Sequence, residues 1–377
     1  MKLLFSTLII LTISQSLIAQ ENESKNASQI ATIVNSEKFS SKHDLVEVLG
    51  EDDQYLFSRS VRYSMVSETE YKIEKRRKSD LSPESEIILS LNYKGQNLKL
   101  IKTVLIGSKI HVFATLYDES RNKGYLYHRE INIQDLSEAD DFNEIAVREY
   151  SSLRSRNNKS FKIYVSNKSS RLLVVYNHRL ENDEPEKISL MVFDENMNET
   201  WKCTLKLPYT NNEFFLKKSL ISENGNVVMI GKMRMDKDEQ FHKEIGWSSS
   251  IFFVTNNGQE LNEFKHNLDA EIKGSIATNI DFENNFILGG FYCQDIDSDP
   301  TGSFIISVDI ENNKTLFKNF HPFEFEFIVQ DLKNSKASRY KKRHEKGKNV
   351  GIDGLEADSI WLKNDGGYVI VGEPSPL

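Results

Sequence analysis

The sequence predicts an all-β protein of the β-propeller class, built from repeated four-stranded antiparallel blades, about six or more, with the last one incomplete. Two observations predict it. Five segments combine a polar turn with a short β-branched or aliphatic run, and they begin at Leu105, Val165, Ile221, Ile280 and Leu362. A second motif follows the first four of them, in three cases as two strands around an Asn-rich turn.

Each unit is predicted to contain four strands, of which the second is the apolar run after the polar turn. Runs such as Val227–Ile230 are continuously apolar, as expected of strands that are covered on both faces. One twisted sheet cannot bury both faces alone, whereas successive sheets can pack face on face. The segment 44–93 is predicted to form a first, divergent unit in which the charged stretch Glu74–Asp80 is a loop.

The sixth unit stops after two strands, which leaves two interpretations. Either the N-terminus supplies the missing strands, or the sequence is a fragment. Native proteins normally cover sheet edges, and an open last blade would expose them, so the fragment is favoured.

The N-terminus has the layout of a cleavable signal peptide, because Lys2 precedes the largely apolar run Leu3–Ile13. Cleavage after Ala19 would remove residues 1–19; an uncleaved anchor is the alternative. Residues 20–43 are polar and are predicted to form a disordered leader before the propeller domain, 44–377. The protein is therefore expected to be exported to the periplasm, cell surface or medium.

Charge, hydrophobicity and cysteine content limit the kinds of binding partner that are expected. The formal net charge of −8 opposes non-specific binding to nucleic acid. No later segment is apolar for long enough to span a membrane as a helix. Cys203 and Cys293 lie two units apart in the predicted repeat, so a disulfide is permitted in an exported chain but is not implied.

Segments of the type Glu223–Met233 and Ile251–Leu261 give the chain a resemblance to a known group. From residue 44 to its end, the chain resembles uncharacterised secreted β-propeller proteins of Gram-negative bacteria. The stretch Phe193–Trp201 is also similar to the strand-turn-strand of quinoprotein-type propellers. These resemblances imply a fold and an exported location, and they carry over no catalytic residue and no cofactor.

The most specific local signal for a ligand is the alternation of Asp295, Asp297 and Asp299, whose carboxylates could converge on calcium. The loop departs from an EF-hand because Pro300 stands where glycine is needed and Ile306 replaces the bidentate glutamate. A solvated acidic loop is the alternative. The eight histidines show no metal-binding spacing along the sequence.

Three acidic loops, beginning near Arg179, Met235 and Gln294, are predicted to emerge on one face of the propeller, which is commonly the face that binds ligands. A basic insertion, 324–350, lies in a connection on the same face. We hypothesise that this arm folds over the acidic loops and gates them or mimics a cationic partner. A solvated, mobile loop is the alternative.

These features predict an exported, non-catalytic binding or scaffold protein that uses the loop-bearing face for an unknown protein or glycan. The alternative is a polysaccharide hydrolase or lyase, which needs two carboxylates facing each other across the channel. Its candidate residues are Glu213, Glu271 and Glu356. The tryptophans are expected to pack within blades rather than to stack on sugars: Trp201, Trp247 and Trp361.

Overall fold

The computed structural model describes residues 9–12, 44–63, 69–138, 141–149, 161–178, 184–210, 212–234, 247–264, 271–272, 276–293 and 298–374. The chain divides into two compact units. One comprises Ala19–Phe214 and is called the 19–214 unit. The other comprises Met1–Ile18 and Phe215–Leu377 and is called the 215–377 unit.

Strands are numbered in chain order, beginning with β1, Ile9–Thr12. Three four-stranded antiparallel sheets and a small hairpin make up the 19–214 unit. The first sheet contains β2 (Asp44–Glu51), β3 (Tyr55–Arg62), β4 (Glu70–Arg77) and β5 (Pro83–Ile88). The hairpin is β6 (Asn92–Tyr93) and β7 (Gln96–Asn97). The second sheet contains β8 (Lys99–Ile106), β9 (Lys109–Asp118), β10 (Lys123–Asn132) and β11 (Asn143–Glu149). The third contains β12 (Lys162–Val165), β13 (Arg171–Asn177), β14 (Pro185–Asp194) and β15 (Glu199–Thr210).

Three further sheets belong to the 215–377 unit. The fourth contains β16 (Phe214–Ile221), β17 (Val227–Arg234), β18 (Trp247–Thr255) and β19 (Glu260–Phe264). The fifth contains β20 (Glu271–Ile272), β21 (Ala277–Ile280), β22 (Asn285–Cys293), β23 (Gly302–Asp309) and β24 (Lys314–Pro322). The sixth contains β25 (Leu355–Leu362) and β26 (Tyr368–Pro374), with β1 paired to β26. Two helices, α1 (Phe325–Val329) and α2 (Asn334–His344), lie between the fifth and sixth sheets in sequence.

Six successive antiparallel sheets confirm the predicted β-propeller fold. Within each unit, neighbouring sheets pack face on face. Phe113 and Val104 of the second sheet share an apolar cluster with Leu172 of the third, and Phe253 of the fourth shares one with Phe286 of the fifth. The predicted second strands are buried throughout, as their continuous apolar runs require.

The hairpins of the blades are built on recurrent aspartates. In the third sheet, Asp194 Oδ1 accepts hydrogen bonds of 2.9 Å from the backbone N–H groups of Asn196 and Asn198. In the fifth sheet, Asp309 Oδ1 accepts similar bonds from Glu311 and Asn312. These side chains stabilise the turn backbone locally, which explains why Asp and Asn punctuate the repeat.

The prediction of a loop over Glu74–Asp80 is wrong for Glu74–Arg77, because β4 continues to Arg77, whereas residues 78–80 form a turn as predicted. Glu74, Lys75 and Arg76 are buried, and Arg77 is exposed. Glu74 Oε1 lies 3.0 Å from Lys72 Nζ and 3.1 Å from Arg76 Nη2. On the other face, Lys75 Nζ donates to the carbonyls of Ile133 and Gln134, at 3.0 and 2.8 Å. Charged side chains that pair with one another can be buried in a sheet. A hydrophobicity pattern does not reveal such a strand, because its residues are polar.

The basic insertion contains two helices, which the sequence did not predict. Tyr340 of α2 is buried against Ile328 of α1 and against Val350 in a small apolar cluster. The end of the insertion also contacts the loop before β23, where Ile352 N donates to Pro300 O at 2.9 Å. Gly351 makes this approach possible, since a Cβ there would lie 2.4 Å from Pro300 O.

Strand β1 lies within the segment predicted to be a signal peptide. It pairs antiparallel with β26 through Ile9 opposite Gly372 and Thr12 opposite Val369. The sixth sheet thus has a third strand that comes from the N-terminus, which is one of the two interpretations of its incompleteness. The signal peptide itself stays a prediction, and the leader 20–43 lies outside the described residues.

No helix among the described residues is long and apolar enough to cross a bilayer. Cys203 and Cys293 are not joined by a disulfide bond, and one lies in each unit.

Candidate metal centre

Two neighbouring strands of the second sheet, β9 and β10, bring four polar side chains to one face. His111 of β9 lies directly opposite Glu130 of β10 in the antiparallel register. His128 precedes Glu130 by two positions and therefore points to the same side, and so does Lys109, two positions before His111. The register thus places two imidazoles, a carboxylate and an ammonium group side by side.

The distances within this cluster are short. His111 Nδ1 lies 2.9 Å from His128 Nε2 and 4.0 Å from Glu130 Oε1. One ligand atom from each of His111, His128 and Glu130 lies within 4.8 Å of the other two. Lys109 Nζ donates to Glu130 Oε2 at 2.6 Å and so fixes the carboxylate from its other oxygen.

Both imidazoles are buried: His111 is 0% and His128 6% exposed. Burial lowers the pKa of His111 to about 4, against the opposing attraction of Glu130. Burial, reinforced by the neighbouring His111, also lowers the pKa of His128 to about 4. Both rings are therefore neutral at physiological pH, and neutral imidazole is the form that binds a metal ion.

One nitrogen of this cluster lacks a partner. His111 Nε2 is buried and has no hydrogen bond among the described residues. A hydrogen bond between the two rings accounts for His111 Nδ1 and His128 Nε2 alone. Two imidazole nitrogens bound to one tetrahedral zinc ion, at about 2.0–2.1 Å each, stand about 3.3 Å apart. A separation of 2.9 Å requires only a small opening to meet that geometry.

A cavity of about 320 Å³ gives access to the cluster. His128 and Glu130 form part of its wall. Asp141, Asn143 and Met197 also line it. Glu130 keeps 22% of its side chain exposed, whereas His111 is fully buried and is not among the residues that line the cavity. A small polar molecule or a water can therefore approach the ligand atoms from one side.

A second group of polar side chains contains one histidine and is joined by hydrogen bonds to hydroxyl groups. His178 Nε2 lies 2.6 Å from Ser189 Oγ, which lies 2.7 Å from Thr204 Oγ1. Burial and the nearby Arg148 lower the pKa of His178. Ser189 stands in the middle of β14, paired with β13 on one side and β15 on the other. The backbone of Ser189 belongs to the sheet, and His178, Ser189 and Thr204 form a chain of side-chain hydrogen bonds.

Asp299 is the one residue of the predicted calcium site that the structure describes, so the site stays a prediction. Asp295 and Asp297 lie outside the described residues, and Asp299 is half-buried against the backbone of Gly351.

The pair of carboxylates expected across the channel stays a prediction. Glu213 Oε2 accepts hydrogen bonds from Thr210 and so closes the turn between β15 and β16. Glu356 is exposed on β25, opposite Glu373 of β26. The side chain of Glu271 lies outside the described residues.

Of the tryptophans, Trp201 is buried as expected, whereas Trp361 is 53% exposed and does not pack within its sheet. The side chain of Trp247 and most of the three acidic loops lie outside the described residues. The expected contact between the basic insertion and those loops therefore stays a prediction. The contact that the structure describes is the one between Ile352, just after the insertion, and Pro300.

No protein-family model and no curated protein matches this sequence. Some solved structures are similar to this chain. An acylaminoacyl peptidase of Pyrococcus horikoshii is 13% identical over 70% of this chain, with a TM-score of 0.38, and this chain spans 38% of its length. The β-propeller domain of the Trilobed protease of Pyrococcus furiosus is 10% identical over 86% of this chain and 77% of that one, with a TM-score of 0.44. The α-L-arabinofuranosidase Arb93A of Fusarium graminearum is 9% identical over 87% of this chain and 91% of that one, with a TM-score of 0.42.

These three similar proteins are named as hydrolases, and this finding corrects the prediction of a non-catalytic binding or scaffold protein. Similarity at this level identifies neither a substrate nor catalytic residues in this chain.

Proposed function

We propose that this protein is a metal-dependent hydrolase whose ion is held by His111, His128 and Glu130. The observation that carries the proposal is the meeting of two neutral imidazoles and one carboxylate within 4.8 Å at the wall of a cavity. Two histidines and one glutamate are a ligand set of catalytic zinc sites, which keep a fourth position open for water or substrate.

The ligand types favour a borderline transition-metal ion over calcium or magnesium, since imidazole suits zinc, cobalt, nickel, copper and iron. When bound, such an ion lowers the pKa of a coordinated water and polarises the oxygen of a substrate carbonyl or phosphoryl group. The chain's own contribution is positional. The two strands fix the imidazoles in the sheet, and Lys109 holds Glu130 by its second oxygen.

The lining of the cavity supports a polar substrate. Asp141 and Asn143 supply a carboxylate and an amide near the cluster, and Ile145 and Met197 supply apolar surface. A polar group of limited size, such as the esterified or glycosidic part of a saccharide, fits this lining better than an extended apolar chain. The substrate class is therefore proposed to be a polar saccharide derivative.

Metal binding is the first test. The full chain is stripped with a chelator, and zinc and cobalt binding are measured by calorimetry and metal analysis. We expect one ion per chain. His111→Gln, His128→Gln or Glu130→Gln should each weaken metal binding by about a hundredfold or more. Even the loss of a residue that only hydrogen-bonds to a metal ligand costs about 10- to 100-fold in metal affinity or activity.

His178→Gln is the matched control, because it removes a partly buried histidine of the same unit outside the cluster and should leave metal affinity unchanged. Wild-type protein that binds no ion, or an equal loss in the control, would contradict the metal centre.

Hydrolysis is tested separately with nitrophenyl acetate, nitrophenyl glycosides and nitrophenyl phosphate. Activity on one of these classes should disappear after chelation, return with zinc or cobalt, and be lost in the His128→Gln variant. If the ion binds as expected and no substrate class is hydrolysed, the metal centre stands and the hydrolase proposal fails.

A further inference from the structure

The segment 333–348, called here the basic arm, has a charge opposite to that of the whole chain. It contains eight lysine and arginine residues and one acidic residue, Glu345, and its net charge is +7 with histidine neutral. The whole chain has a net charge of −8. The cations of the arm are Lys333, Lys336, Arg339, Lys341, Lys342, Arg343, Lys346 and Lys348.

The arm is a defined structure rather than a solvated tail. Tyr340 anchors α2, being only 4% exposed in the cluster that it forms with Ile328 and Val350. The ring of His344 stacks on Phe325 with centroids 4.5 Å apart. Arg343 Nη2 donates to Asn349 O at 3.2 Å beyond the helix end. The cations are therefore displayed on a scaffold that is docked at several points.

Little in the described part of the protein neutralises these charges. Of the eight cations, Lys336 alone has an ion-pair partner among the described residues, Asp353 at 3.6 Å. The others are exposed or interact with neutral groups. Pairs four residues apart, such as Arg339 with Arg343, repel each other along the helix.

A structural explanation covers only part of this pattern. Cations in the last turn, Lys341 to Arg343, are stabilised by the negative end of the helix dipole. Lys333 and Lys336 lie at the opposite, positive end, where a cation is unfavourable. The helix dipole therefore accounts for the cations of the last turn and not for those at the start of α2.

We propose that the basic arm binds an anionic polysaccharide, a chain bearing sulfate or carboxylate groups. A bilayer fits less well, because segment 333–348 exposes no large apolar side chain that could insert. Single-stranded nucleic acid fits less well because its bases stack on exposed aromatic rings, and the arm's Tyr340 is buried. This site goes beyond the proposed hydrolase and does not depend on the metal centre.

Binding of the full chain to heparin, a sulfated polysaccharide, and to polygalacturonate, a carboxylated one, tests the proposal. Affinity is measured at several salt concentrations for wild type and for Lys341→Ala/Lys342→Ala/Arg343→Ala. We expect at least tenfold weaker binding of the triple variant at low salt. We also expect a log–log salt slope that is smaller by about 2, since each neutralised charge contributes about 0.7 to 0.9.

The matched control is Lys99→Ala/Lys206→Ala/Lys314→Ala, which removes three exposed lysines elsewhere. The His128→Gln variant should bind like wild type, which separates this site from the metal centre. An equal loss in the lysine control, no binding of either polysaccharide, or tighter binding of phosphatidylglycerol vesicles or oligo(dT) would overturn the proposal.

Discussion

Buried polar side chains decide the chemistry of this molecule at the residue scale. His111 and His128 are 17 positions apart and show no metal-binding spacing in the sequence. Burial keeps them neutral by lowering the pKa of each to about 4. The same physical effect operates on the thiol of Cys203, where burial raises the pKa from 9.0 to about 11.

Cys203 therefore provides a test of burial at the residue scale. In a Cys293→Ser background, native Cys203 should react with iodoacetamide at pH 9 more than tenfold more slowly than in urea. The reason is that the thiolate is the reactive form, and its fraction at pH 9 falls from about one half to about 1% when the pKa rises by about two units. Quenched alkylation followed by mass spectrometry measures both rates.

The sign of the accompanying stability change is also defined. Below pH 9 the thiol is protonated in both states; above it the unfolded chain loses the proton first, so this group destabilises the fold as pH rises from about 9 to about 11. Equal alkylation rates in native and unfolded protein at pH 9 would show that Cys203 is not buried in solution.

At the scale of elements, short-range patterns and long-range contacts contribute differently. The apolar runs and Asp- and Asn-rich turns predicted most of the strands and hairpins correctly, because they act within a few residues. The charged strand β4 and the helices of the insertion were missed. Their stability depends on partners distant in sequence, such as the carbonyl of Ile133 for Lys75 and Ile328 for Tyr340.

The docking of α2 is tested by Tyr340→Ala. Loss of this buried ring should cost about 3 kcal/mol of local packing and release the helix. Trypsin should then cleave after Lys341, Lys342 or Arg343 several-fold faster than in wild type, as followed by mass spectrometry. Tyr63→Ala is the control, since Tyr63 is 74% exposed. If cleavage of the Tyr340→Ala variant is as slow as that of the control, α2 is held by other contacts.

On the scale of the whole molecule, the six sheets agree with the predicted number of units, and each sheet packs at least one face against a neighbour of its own unit. Two different roles are assigned to the N-terminal residues. The sequence predicts that residues 1–19 are removed on export, and the structure pairs Ile9–Thr12 with β26. Removal of β1 would leave the N–H and C=O groups of that edge of β26 without a partner strand.

Expression in a Gram-negative host tests the proposed export. We expect the protein in the periplasm or medium, with Gln20 as its first residue by N-terminal sequencing. Ile9→Arg should keep the chain uncleaved in the cytoplasm, because it places a charge in the apolar run. An exported chain that retains residues 9–12 would contradict cleavage and support β1 as a permanent strand of the sixth sheet.

The sequence by itself determined the all-β class, the repeat and the turn positions of this protein. Strand propensity, alternation and turn chemistry depend on residues that are close together in the sequence, and the same signals recur in each repeat. Only the tertiary structure decided where the candidate site lies. Antiparallel register sets His111 opposite Glu130 and beside His128, and the packing of neighbouring sheets removes both imidazoles from water. Register and burial depend on contacts between distant residues, and for that reason spacing along the chain could not reveal the metal centre.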